Sequence, residues 1–133
     1  MNEFSDDQNC FVCGRKNPAG LQLEFERDPG AGAAATRVAF PVQYQGWRST
    51  VHGGLLATVL DETLIQAAGA SGVKCVTAEI TVTYRRPALT GEELRAAARV
   101  TGSRGRIVFA EGEIADERGQ VLAQAKGKLF KVE

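Results

Sequence analysis

The chain has 133 residues and equal numbers of basic and acidic side chains, 16 each. That length suits one domain with its own core, and zero net charge is not the strongly basic balance expected of a nucleic-acid-binding protein. No apolar run nears the roughly 20 residues of a membrane span, and the acidic start MNEFSDDQN is not a signal peptide, so a soluble cytoplasmic protein is expected.

In chain order, residues 1–9 are expected to be a flexible terminus and CFVCGRKNPAG, 10–20, a compact turn built on Gly14, Asn17-Pro18 and Gly20. Cys10-x-x-Cys13 has the spacing of half a zinc site. No second C-x-x-C follows, and Cys75 or His52 would complete a ligand set only by an accident of the fold. Three cysteines without an export signal do not make a disulfide framework. Small buried side chains, with no metal and no cofactor, are therefore expected.

Leu21, Leu23 and Phe25 alternate with polar residues and predict a half-buried strand; Ala33–Phe40 predicts a second, after the turn at Asp28-Pro29-Gly30-Ala31-Gly32. Residues 41–51 read as a loop carrying Tyr44, Gly46 and Trp47. From Val51 to Ala70 the sequence predicts one helix, apolar nearly all round and so enclosed by its domain, closed by Gly69 and Gly72. Val76–Tyr84 alternates Val76, Ala78, Ile80, Val82 and Tyr84 with Thr77, Glu79, Thr81 and Thr83, the clearest strand, ending at Arg85-Arg86-Pro87. Strands follow at 94–101, 106–115 and 121–129, with turns at Gly102–Gly105 and Asp116–Gly119. Short links imply antiparallel pairing. One curved six-stranded antiparallel sheet wrapped around one long central helix, an α+β hotdog fold in a single domain over 1–133, is the economical packing.

Two features of the helix point to chemistry. Asp61 and Glu62 lie mid-helix, where a carboxylate is costly unless paired, neutralised or used. His52-Gly53-Gly54 stands at the start, where glycines let a ligand approach and the first N–H groups of the helix point outward unpaired. Such a site polarises a carbonyl at the helix start and uses a carboxylate to attack it or to activate water. Gly46 and Trp47, just upstream, are candidates for its wall.

These residues also carry a family likeness. His52-Gly53-Gly54, Asp61 nine positions after the His, the strand leading to Arg85-Arg86-Pro87, the Arg104-Gly105-Arg106 turn and the Cys10-Phe-Val-Cys13-Gly opening with Asn17-Pro18-x-Gly20-Leu21 resemble the hotdog acyl-CoA thioesterases, in particular the PaaI-like branch of the 4-hydroxybenzoyl-CoA thioesterase superfamily. The resemblance implies that the Gly53 N–H holds the thioester carbonyl, that Asp61 is nucleophile or general base, and that Thr77 orients water or the acid. It also implies that His52 orients the site by hydrogen bonding. Glu62 is the competing acid. Many relatives carry an Asn six residues before the His; this chain has Gly46 there. Coenzyme A bears phosphates, which suit Arg85, Arg86, Arg104 and Arg106.

Gly53 and Asp61 are eight residues apart, about 12 Å along a helix. One thioester carbon cannot sit beside both, so if both act on one substrate, two subunits must share each site. A homodimer is expected, with a homotetramer as a dimer of dimers. The competing reading is a non-catalytic acyl-CoA-binding hotdog, which the missing Asn favours. A hydratase of this fold would need a D-x-N-P-x-H run, and the sequence has none.

Overall fold

The computed structural model describes residues 4–132. Helix α1 spans Gly53–Ala70, and six strands form one antiparallel sheet: β1 Glu26–Asp28, β2 Ala33–Ala39, β3 Cys75–Tyr84, β4 Glu93–Arg104, β5 Ile107–Ala115 and β6 Val121–Lys131. The strand order is β1-β2-β4-β5-β6-β3, which leaves β3 as one free edge. The sheet wraps α1, as the sequence predicts, in the hotdog arrangement.

The core lies between helix and sheet. Val59, Leu60 and Leu64 of α1 are fully buried against Leu94 and Ala96 of β4, Ala110 and Ile114 of β5 and Leu129 of β6. Each large side chain so enclosed contributes about 1.5–3 kcal/mol. The helix comes close because the sheet is thin beneath it. A Cβ on Gly127 would stand 2.6 Å from Leu64 Cδ1, and one on Gly112 would stand 3.3 Å from Leu64 Cδ2. Thus Gly127, which loosens the β6 pattern in sequence, is the groove into which Leu64 fits.

Both helix ends have local causes. His52 caps the start, its Nδ1 accepting the Gly54 N–H at 2.9 Å. At the other end Gly72 takes a left-handed φ of +80°. Its N–H bonds Gly69 O, and the Val73 N–H bonds Ala68 O, the paired bonds of a Schellman stop. Gly72 alone therefore closes the helix; Gly69 lies within its last turn.

Several boundaries differ from expectation. Residues 21–25 are not a strand: the Leu21 and Leu23 N–H groups bond Phe11 O and Val12 O, and Gln22 has φ +52°. The N-terminal turn takes the hydrogen bonds that sheet pairing would need, so only Glu26–Asp28 joins β2. Of the flexible segment expected over 1–9, residues 1–3 lie outside the described residues. Gln8 O and Asn9 O accept from the Lys16 N–H and from Asn17 Nδ2, which ties that part to the following turn. The turn expected at Gly102–Gly105 is instead strand to Arg104. An irregularity between Val100 and Gly102 keeps the ladder going, and the reversal falls on Gly105–Arg106. In β3, a bulge between Thr77 and Glu79 resets the alternation. Ala78, expected inside, is exposed, and Cys75 and Thr77 share the half-buried side with Ile80 and Val82.

Candidate active site

The segment before α1 is a tight loop. The Gly46 N–H bonds Thr50 O at 2.8 Å, the His52 N–H bonds Tyr44 O at 3.0 Å, and the Val51 N–H bonds Ala88 O at 2.8 Å. These bonds aim the chain into the helix. They also set a cleft of about 650 Å³ lined by Gly46, Trp47, His52, Gly53, Tyr84, Arg85 and Arg86, among others. Trp47 is 88% exposed and stands at the rim.

The helix start distributes its donors unequally. His52 Nδ1 takes the Gly54 N–H, which leaves the imidazole proton on Nε2. His52 O takes the Leu55 N–H at 2.9 Å. Among the described residues, no acceptor faces the Gly53 N–H. The helix dipole adds to the pull of that one open donor on a developing anion. Tyr84, at the end of β3, donates its hydroxyl to Gly53 O at 2.7 Å and covers the glycine with its ring, 3.4 Å from where a Cβ would be. Sequence reasoning missed Tyr84; its inward phase at the last position before Arg85-Arg86 was the available signal.

Asp61 lies two turns further along α1. Thr77 Oγ1 donates to Asp61 Oδ1 at 2.5 Å, and both residues are half-buried. The β3 bulge turns Thr77 toward the helix, so a strand irregularity makes this bond possible. Glu62 faces other partners. Gln66 Nε2 donates to its Oε2 at 2.8 Å, while Gln66 Oε1 accepts from Arg27 Nε at 2.8 Å. Cys10 Sγ sits 3.7 Å from Glu62 Oε1. The two helix carboxylates are therefore separated by environment: Asp61 faces a hydroxyl on β3, Glu62 the N-terminal turn.

That turn holds a group of ligand-type atoms. Cys10 Sγ, Cys13 Sγ and a Glu62 oxygen lie within 4.8 Å of one another, and neither Cys75 nor His52 joins them. Burial, with the Glu62 carboxylate beside it, pushes the Cys13 thiol up to about 12. Burial also raises the Cys75 thiol, against the opposing charge of Lys131.

The four arginines are split. Arg85 and Arg86 flank the cleft, both backbone N–H groups bonded to Leu122 O, with Arg85 Nε on Gln124 Oε1 at 3.0 Å. Arg106 donates to Lys131 O at 3.0 Å and lies over the Phe130 ring, 5.8 Å from its centroid. Tyr84 pairs with Ala123 while Cys75 pairs with Lys131, beside the Arg104–Ile107 turn. The two arginine pairs thus stand at opposite ends of β3, about 30 Å apart.

One cleft in one chain therefore joins Gly46, Trp47, His52, Gly53, Arg85 and Arg86. Asp61 with Thr77, Glu62, and Arg104 with Arg106 lie apart from it.

Residues 49–123, more than half of the chain, match the thioesterase superfamily, and the chain belongs to that superfamily. No curated protein sequence matches it. Among solved structures it is similar to a thioesterase superfamily protein at 29% identity and a TM-score of 0.85. That match covers 93% of this chain but 60% of the other, so this chain spans less than two thirds of that protein's length. The PaaI protein of E. coli, from the phenylacetic acid degradation operon, is similar at 23% identity and a TM-score of 0.78, over 85% of this chain and 81% of that one. A hypothetical thioesterase from Streptococcus pneumoniae, solved with coenzyme A, is similar at 18% identity and a TM-score of 0.76, over 83% and 88%. At these identities the last two carry the fold alone. No helix among the described residues is long and apolar enough to cross a membrane.

Proposed function

We propose that this chain hydrolyses an acyl-CoA thioester at two equivalent sites of a homodimer. Each site joins the Gly53 N–H of one subunit to Asp61 of the other. The observation that carries this reading is the helix itself: an open donor at Gly53 and a carboxylate held by Thr77, about 12 Å apart. Antiparallel pairing of two β3 edges would set two such helices side by side. It would also cover a ten-residue unpaired edge, a feature soluble proteins rarely leave bare.

In the water route, Asp61 accepts a proton from water, and the water oxygen attacks the thioester carbon. The carbonyl electrons move to oxygen, where the Gly53 N–H and the helix dipole hold the oxyanion. The C–S bond breaks, and the coenzyme A sulfur takes the proton from Asp61. In the direct route, the Asp61 carboxylate attacks, the thiolate leaves, and water cleaves the resulting anhydride. Both routes return Asp61 ionised. Thr77 fixes one carboxylate oxygen and leaves the other for the reaction.

A protein from Streptococcus pneumoniae adds support. Structures of its variants replace one Asp and one Thr by Ala, at positions 16 apart, the separation of Asp61 and Thr77. The same pairing of β3 edges would bring Arg85 and Arg86 of one subunit toward Arg104 and Arg106 of the other, one basic rim for the coenzyme A phosphates.

The test is a panel of acyl-CoAs assayed for free thiol, with Asp61→Asn as the comparison. The parent releases thiol; Asp61→Asn keeps its fold and its affinity for coenzyme A but turns over at least ~100-fold more slowly. A parent that binds coenzyme A and hydrolyses no acyl-CoA would move the non-catalytic binding reading ahead. Gly46, in place of a carbonyl-holding Asn, is the observation that favours that second reading.

A further inference from the structure

We propose that Cys10, Cys13 and Glu62 form a zinc site that clamps the N-terminal turn to helix α1. The three ligand atoms already converge, all within 4.8 Å of one another. Tetrahedral zinc with Zn–S near 2.3 Å and Zn–O near 2.1 Å sets its ligand atoms roughly 3.5–3.8 Å apart. Cys10 Sγ and Glu62 Oε1, at 3.7 Å, fit that spacing as they stand.

The turn has the shape the metal requires. Cys10 O accepts the Gly14 N–H at 2.9 Å, folding both thiols to one side. The Val12 N–H points at Cys10 Sγ at 3.4 Å, a donor that stabilises sulfur once it carries charge. Gly14 has no alternative here: a Cβ would stand 2.4 Å from Cys10 N and 2.6 Å from Gln8 O. The third ligand is braced in turn. Gln66 Nε2 holds Glu62 Oε2 at 2.8 Å, and Arg27 Nε holds Gln66 Oε1 at 2.8 Å. Such outer partners orient metal ligands and account for much of their affinity.

Two thiolates and one carboxylate select zinc over the hard cations, which prefer oxygen alone. Three protein ligands leave a fourth position for water. On binding, each thiol gives its proton to solvent and no electron moves. The clamp joins positions 52 residues apart, so it acts on folding and on the placement of α1, whatever reaction the protein carries out.

The experiment uses the full chain, reduced, stripped of metal and kept from air, titrated with Zn²⁺ against a chromophoric chelator and separately with Co²⁺. The parent takes up one zinc per chain, its thermal midpoint rises with added zinc, and the cobalt form shows a thiolate-to-metal charge-transfer band. Cys10→Ser and Cys13→Ser each weaken that band, and Glu62→Gln lowers zinc affinity at least ~10-fold. A reduced parent that takes up no zinc would overturn the proposal. So would folded cysteine variants that bind it as tightly as the parent, or a cobalt form without the thiolate band.

Discussion

Gly46 concentrates the residue-scale question. By the family resemblance many relatives carry an Asn at this position, and in the proposed mechanism its absence leaves the thioester carbonyl one donor fewer. Glycine is not required by the backbone, since Gly46 is not among the positive-φ residues. A Cβ there would meet His52 Cα at 3.4 Å and Cδ2 at 3.6 Å, ordinary contacts beside the cleft. Gly46→Asn should therefore fold and restore a donor. Losing one oxyanion donor typically costs ~10²–10³ in turnover; regaining one in an unoptimised site should raise kcat/KM at least ~10-fold. An unchanged value would mean that position 46 does not face the carbonyl. At this scale the sequence singled out the carboxylates but could not separate their duties. Asp61 meets Thr77 and Glu62 meets Cys10 and Gln66 only after folding, across separations of 16 and 52 positions in the first case of each. The strand phase of Tyr84 is legible in the sequence, but its contact with Gly53, across 31 positions, is not.

Helix and strands were largely legible as elements, because a long apolar run and a β-branched alternation are local signals. Their irregularities were not. The β3 bulge between Thr77 and Glu79 leaves no mark in an alternating sequence, yet it turns Thr77 to Asp61. Residues 21–25 alternate like a strand and still bond the N-terminal turn, since a period-2 pattern reports which side is buried and not which partner takes the hydrogen bonds. In sequence Gly127 interrupts the β6 alternation, whereas in the fold it is where α1 approaches. Gly127→Ala should accordingly destabilise the fold by about 1–3 kcal/mol through overpacking, read as a lower denaturation midpoint at unchanged slope. Leu64→Ala alone should cost about 2–5 kcal/mol. The two changes together should cost less than their sum, because the new methyl enters space that Leu64 vacates. Strict additivity would show that the helix does not rest on Gly127.

At the scale of the whole molecule, the proposed mechanism asks for more than one chain supplies. Gly53 and Asp61 share a helix but not a reach, and the two arginine pairs stand at opposite ends of β3. Sequence length along a helix raises the expectation of two subunits; the free β3 edge is the surface on which the proposal has them meet. The direct measurement is a subunit-mixing assay with two variants that each disable half of every site. Gly53→Pro deletes the open N–H at the first helical position, where proline is well tolerated, after a residue whose φ −58° and ψ 129° already suit it. Asp61→Asn deletes the carboxylate. Each variant alone should form folded, inactive dimers. Co-unfolded and refolded in equal amounts, they should regain about a quarter of the parental thioesterase activity, because half of the dimers are mixed and each mixed dimer has one intact site. A mixture that forms mixed dimers and stays inactive would contradict the shared site.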